Sequence, residues 1–193
     1  MKRKTFDQIV TFVGFGLSAL LLVAAGLLNW GATFATGTVG EQLAAQKISI
    51  PGNTGDPDAS KDVVNFFADN ADKIMTTGKQ AQMYADHYIQ FHLNAMPTYA
   101  DASNASRVAT GRAAADPTNS SLQADADKKA KIVDTVFKGQ SLRGMLLNAY
   151  AFWELGQIAA ISAIAALAGG LLMLLLSIAG LIHIRRTSED ATI

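Results

Sequence analysis

Two long stretches of this chain carry no charge, and each is long enough to cross a bilayer as a helix. The first runs from Ile9 to Trp30; the second, from Leu155 to Ile184, is interrupted in polarity only by Gln157, Ser162, Ser177 and His183. A hydrocarbon core about 30 Å thick takes about 20 apolar residues of helix, because the segment must satisfy its own backbone N–H and C=O groups there. Half of the residues are apolar and only 17% are charged, so the gathering of apolar residues into two blocks decides the class. The expectation is an all-α membrane protein. Two transmembrane helices flank an extracytoplasmic helical domain, and the second span extends outward as a long helix.

Local charge gives the orientation. Lys2, Arg3 and Lys4 precede the first block, and Arg185 and Arg186 follow the second directly. Cytoplasmic flanks are enriched in Lys and Arg, so both termini are expected in the cytoplasm, in a multi-pass plasma-membrane protein. The expected divisions are a cytoplasmic N-terminus at 1–8, a first span at 9–30, an extracytoplasmic domain at 31–154, a second span at 155–184 and a cytoplasmic C-terminus at 185–193. Basic residues, an apolar run and small residues also describe a signal peptide, with Thr33-Phe34-Ala35 as a cleavage site. The run of about 20 residues exceeds the 7 to 15 of a signal core, and Trp30 stands where an interfacial aromatic belongs, so an uncleaved anchor is expected.

The whole chain has 16 basic and 16 acidic residues, which gives no electrostatic reason to bind nucleic acid. It has no cysteine, which excludes disulfides and thiol chemistry.

Between the blocks, Gly31 to Thr38 reads as the exit from the membrane, followed by a short helix at Glu41 to Gln46 and an extended piece at Ile48 to Ile50. Pro51 to Pro57 is a turn-rich loop. Asp58 or Ser60 caps a helix through Phe67 that Asn70 or Asp72 ends, and another, capped near Thr77, runs to about Met96 before Pro97. A weaker helix is expected at Thr98 to Val108, then one at Leu122 to Phe137 broken by Gly139. From Ser141, apolar Leu142, Met145, Leu146, Ala149, Tyr150 and Trp153 recur at helical spacing and run without proline into the second block.

Phosphate-loop, nucleophile-elbow and zinc-protease motifs are absent. His87 and His92 are five residues apart, about 140° around a helix, so they do not share a metal. No cofactor and no catalytic or metal-binding residue is expected. The lack of charge inside the spans speaks against a proton path or an ion pore.

Small residues give the spans a packing pattern. Ser162, Ala166 and Gly170 fall four apart, with Ala165 and Gly169 as a second pair; on the first span Ser18 and Ala25, or Ala19 and Gly26, repeat at seven, with Gly14 as another gap. Such residues permit close approach of helix backbones, either to each other or to another membrane protein. Trp30, Tyr150 and Trp153 are expected as anchors at the outer interface, with Arg185 and Arg186 at the inner one. Tyr84, Tyr88 and Phe91 could line a small pocket in the outer domain.

The segment Ser141-Leu142-Arg143-Gly144-Met145-Leu146-Leu147-Asn148-Ala149-Tyr150-Ala151-Phe152-Trp153, with Gly156-Gln157-Ile158-Ala159, resembles a family of small actinobacterial membrane proteins. So do Leu43 to Ser49 and Gln82 to Ile89 with His92-Leu93, and the resemblance spans most of the chain. Members carry the label of an aromatic ring-opening dioxygenase subunit, an activity that uses iron held by histidines and a carboxylate. This chain offers no convergent set of that kind, so no catalytic residue is carried across. The resemblance implies a two-span envelope protein with an outward helical domain.

Three functional classes follow. The first is a non-enzymatic accessory or assembly component of a larger cell-envelope complex, such as a respiratory one, in contact with lipid and with another membrane protein or itself. The second is an extracytoplasmic ligand-binding or sensor protein. The third is the dioxygenase of the family label.

Overall fold

A computed structural model describes residues 3–186. Among the described residues every regular element is a helix and there is no strand: α1 (Arg3–Gln46), α2 (Lys61–Asp69), α3 (Gly78–Met83), a π turn (Tyr84–Ile89), α4 (Gln90–Asn94), α5 (Tyr99–Ala115) and α6 (Ser120–Arg186). The chain divides into two compact units. Unit 1 comprises residues 1–37 and 154–193, of which 3–37 and 154–186 are described, and unit 2 is Thr38–Trp153. Lys2 and residues 187–193 of the expected cytoplasmic C-terminus lie outside the described residues.

Unit 1 consists of the apolar parts of α1 and α6 lying antiparallel. Its contacts recur down the pair: Thr11 meets Gly180, Gly14 meets Ser177, Ser18 meets Gly170, and Gly156 meets Ala32, Ala35 and Thr36. The buried positions repeat at seven on both helices, Thr11, Ser18, Ala25 and Ala32 on α1 and Gly156, Ala163, Gly170, Ser177 and Ile184 on α6. A repeat of seven keeps one seam facing a partner helix. Small residues along it let the backbones approach closely.

The remaining faces of both helices are apolar and open. Of the most apolar 18-residue stretch only 22% is buried in α1 and 11% in α6, which separates them from the core helices of a water-soluble fold. At about 1.5 Å per residue, both helices are long and apolar enough to cross a membrane.

Unit 2 has a core of its own around Phe67, Met75, Ile50, Ala81, Ala85 and Leu146, with the end of α1 contributing Val39 and Leu43. α1 does not stop at Trp30: it continues through Gly31 and Gly37 to Gln46, so the expected exit loop and the separate helix at Glu41 are one helix. Glycine in a helix costs only about 1 kcal/mol, too little to stop it without a competing turn. α1 stops where Lys47 takes a positive φ of 53° and its N–H bonds back to Ala44.

Ile48 to Ile50 then runs against Lys73 to Met75 through an isolated antiparallel bridge, Ser49 with Ile74. Ser60 caps α2 through Val63, and Asn70 ends it. Thr77 and Gln80 form a capping box at α3, while the Gln80 amide donates to Asn70 Oδ1 at 3.0 Å and so ties the end of α2 to the start of α3. The π turn was not legible in the sequence. In an α-helix every fourth residue drifts by about 40°. The wider turn keeps Ala81, Ala85 and Ile89 all directed into the core.

α5 extends beyond the expected Val108 to Ala115 and buries Ala102, Ala109 and Ala113. It forms an antiparallel hairpin with the start of α6, fixed by the Gln123 amide on the Ala113 carbonyl (3.2 Å) and by the rings of Tyr99 and Phe137. Gly139 does not break α6. Leu93 packs directly over it, where a Cβ would stand 2.8 Å from Leu93 Cδ2, so the glycine serves as a contact rather than a stop.

Candidate helix-packing and docking site

Ser18 and Gly170, both expected in small-residue stripes, meet: the Ser18 hydroxyl donates to the Gly170 carbonyl at 2.8 Å in a buried position. A Cβ on Gly170 would stand 3.0 Å from Leu22 Cγ, so the close approach depends on glycine. Ala25 is buried in the same seam. Gly14, the other gap, faces Ser177 so closely that any side chain there would collide with its hydroxyl.

The α6 residues that face α1 repeat at seven, beside the expected stripe at four. Ser162 and Ala166 are half-buried, the Ser162 hydroxyl bonding to Ile158 of its own helix, and Ala165 is exposed. Gly169 is half-buried near Leu21, while Ala19 and Gly26 face away from the seam, with nothing within 4 Å of a Cβ at Gly26. The residues that reasoning from spacing four missed are Gly156, Ala163 and Ser177, joined on α1 by Thr11 and Ala32. Their signal was present as two parallel repeats of seven.

The interfacial aromatics divide. Trp30 is 69% exposed and stacks on Phe34, with ring centroids 5.9 Å apart. Trp153 is instead packed against the core of unit 2, pressed onto the backbone of Gly78, where no Cβ would fit. Tyr150 is half-buried. Trp153 is therefore a structural side chain of unit 2 rather than an exposed ring. Arg185 and Arg186 are exposed at the end of α6.

Tyr84, Tyr88 and Phe91 are each half-buried, and their rings are joined in one chain of contacts through His92. Tyr84 meets Tyr88 at a tilt (4.9 Å), Tyr88 meets His92 likewise (4.5 Å), and His92 and Phe91 lie nearly perpendicular (5.4 Å), while the loop at Gly55 lies over Phe91. Two open hollows lie elsewhere in unit 2, one of about 430 Å³ along Ala124, Asp127, Lys131 and Thr135, another of about 260 Å³ at Asn53 to Pro57 and Val64. Burial, and secondarily the neighbouring Tyr88, raises the Tyr84 phenol above its usual pKa.

His92 Nδ1 contacts the Tyr88 carbonyl at 2.7 Å, and among the described residues no three side chains of metal-ligating type converge. A pair not anticipated from sequence does form: Arg143 of α6 donates to Asp86 of the π turn at 2.9 Å, both about one-third exposed. Compared with known protein families, curated proteins and solved structures, the chain has no significant match.

Proposed function

We propose that this chain is an integral plasma-membrane protein that crosses the bilayer twice, with both ends in the cytoplasm and residues 31–154 outside. In this reading it has no enzymatic activity of its own. It serves as an accessory or assembly component of a larger cell-envelope complex, with a respiratory complex as one host of suitable build. The observation that carries the reading is the open apolar surface of the paired helices: Leu20, Val23 and Leu27 on α1 and Ile161, Ile164 and Leu175 on α6 are each more than 60% exposed. Surface of that extent needs lipid or a protein partner to cover it. The antiparallel pairing supports the orientation, since it places the basic ends Arg3-Lys4 and Arg185-Arg186 at the same end of unit 1.

Outside the second apolar block, the Ser141 to Trp153 segment retains exposed Met145 and Phe152, which supports docking rather than catalysis as the role of this region. The sensor reading has less support, because the aromatic rings that were to line its pocket pack on one another.

The test is purification of a C-terminally tagged chain from its native membranes in mild detergent, with mass spectrometry and metal analysis of what is retained. A stoichiometric membrane partner is expected. Recovery of the chain alone, or with bound iron, would contradict the accessory role.

A further inference from the structure

On α6, Phe137, Ser141, Met145, Asn148 and Phe152 follow one another at spacings of three and four and so share one face of the helix. Met145 is 70% and Phe152 56% exposed, Asn148 is exposed, Phe137 is 57% exposed with one side of its ring against Tyr99, and a Cβ at neighbouring Gly144 would meet only open space. The face is free of charge. Lys138 at its edge pairs with Asp134, and Arg143 is turned to Asp86.

We propose that this face is covered by the same face of a second copy of the chain, α6 against α6 in parallel. The inference rests on the two-span reading in one respect: copies inserted alike in one membrane present this face in the same direction. Three considerations select a second copy. The exposed Asn148 amide, both donor and acceptor, finds its complement in the same residue across a two-fold axis, as a single asparagine does in a parallel two-stranded coil. A face without charge meets no repulsion from its own copy and offers nothing to a charged partner surface. Met145, Phe152, the open part of Phe137 and the small residues between them present on the order of 500 Å² per copy, so a pair that covers the whole face buries up to about 1,000 Å², the lower bound for a specific interface.

Because the chain has no cysteine, single cysteines report this contact directly. Met145→Cys, Asn148→Cys and Phe152→Cys, each at an exposed position, are compared with Leu142→Cys, which is also exposed but about 120° around the helix from Asn148. Oxidised in native membranes, the first three are expected to give a disulfide-linked species of twice the chain mass and Leu142→Cys none, since the bond forms only between Cβ atoms about 4 Å apart. A dimer from none of them, a dimer equally strong from Leu142→Cys, or linkage to a different protein would each overturn the proposal. The membrane fraction of the same samples after an alkaline wash is read separately: loss of the chain there would overturn the two-span reading instead.

Discussion

The Ser18 hydroxyl reaches the Gly170 carbonyl, 2.8 Å away across the paired helices, because Gly170 has no side chain to hold the two backbones apart at that point. The bond itself contributes modestly. Hydrogen bonds between helices in lipid average about 0.6 kcal/mol, so Ser18→Ala should lower the thermal midpoint in detergent only slightly.

The glycines matter more. A Cβ at Gly180 would stand 2.6 Å from Thr11 Oγ1, and Gly14 has no room beside Ser177. Gly180→Leu should therefore force the helices apart and cost about 1–3 kcal/mol, seen as a lower midpoint. Ala165→Leu, on an exposed face of the same helix, should leave the midpoint unchanged. Equal effects from the two substitutions would contradict the seam.

Trp153 and Trp30 should behave differently although both close an apolar block. Trp153→Ala opens the packing over Gly78 and should cost unit 2 up to about 3 kcal/mol, because the ring is only partly buried and the full range applies to buried aromatics. Trp30→Ala should change stability by less than about 0.5 kcal/mol. Hydrogen exchange across Thr38–Trp153 distinguishes them: it should rise for the first variant only.

Asp86 and Arg143 join the π turn to α6. With both side chains about one-third exposed, the pair lies near the surface range, so Asp86→Ala should cost about 1 kcal/mol. Its local signature is more telling. Amide exchange should rise over Tyr84–Ile89 ahead of the rest of the unit.

Alkaline stability tests the burial of Tyr84. A phenol whose pKa is raised in the fold keeps its proton after the unfolded chain, at about 10, has lost it, so the native state binds more protons above that pH. The contribution is fully present below pH 10 and is lost as pH rises beyond it. Tyr84→Phe should therefore fall less steeply in stability above about pH 10 than the parent chain.

What was legible in the sequence was set by local chemistry. The two charge-free blocks are continuous in the sequence, the caps at Ser60 and Thr77 and the stop at Asn70 depend on residues within a turn of one another, and the structure shows them. Gly31, Gly37 and Gly139 were misleading because a glycine only weakens a helix, and the neighbours that decide its fate lie far along the chain: Leu93 sits over Gly139 across 46 positions. The seam was half visible. Ser18 and Gly170 could be named from composition, but choosing a repeat of seven over one of four requires knowing which helix is opposite. The π turn and the Asp86–Arg143 pair follow from core geometry that no local pattern encodes.

The most direct measurement is the sidedness of single cysteines in intact cells, using a maleimide that cannot cross the membrane. Asp125→Cys, exposed on the first part of α6, should be labelled in intact cells, and Thr5→Cys, exposed at the start of α1, only after lysis. Labelling of both in intact cells, or of Thr5→Cys alone, would contradict a chain that crosses the membrane twice with its ends inside.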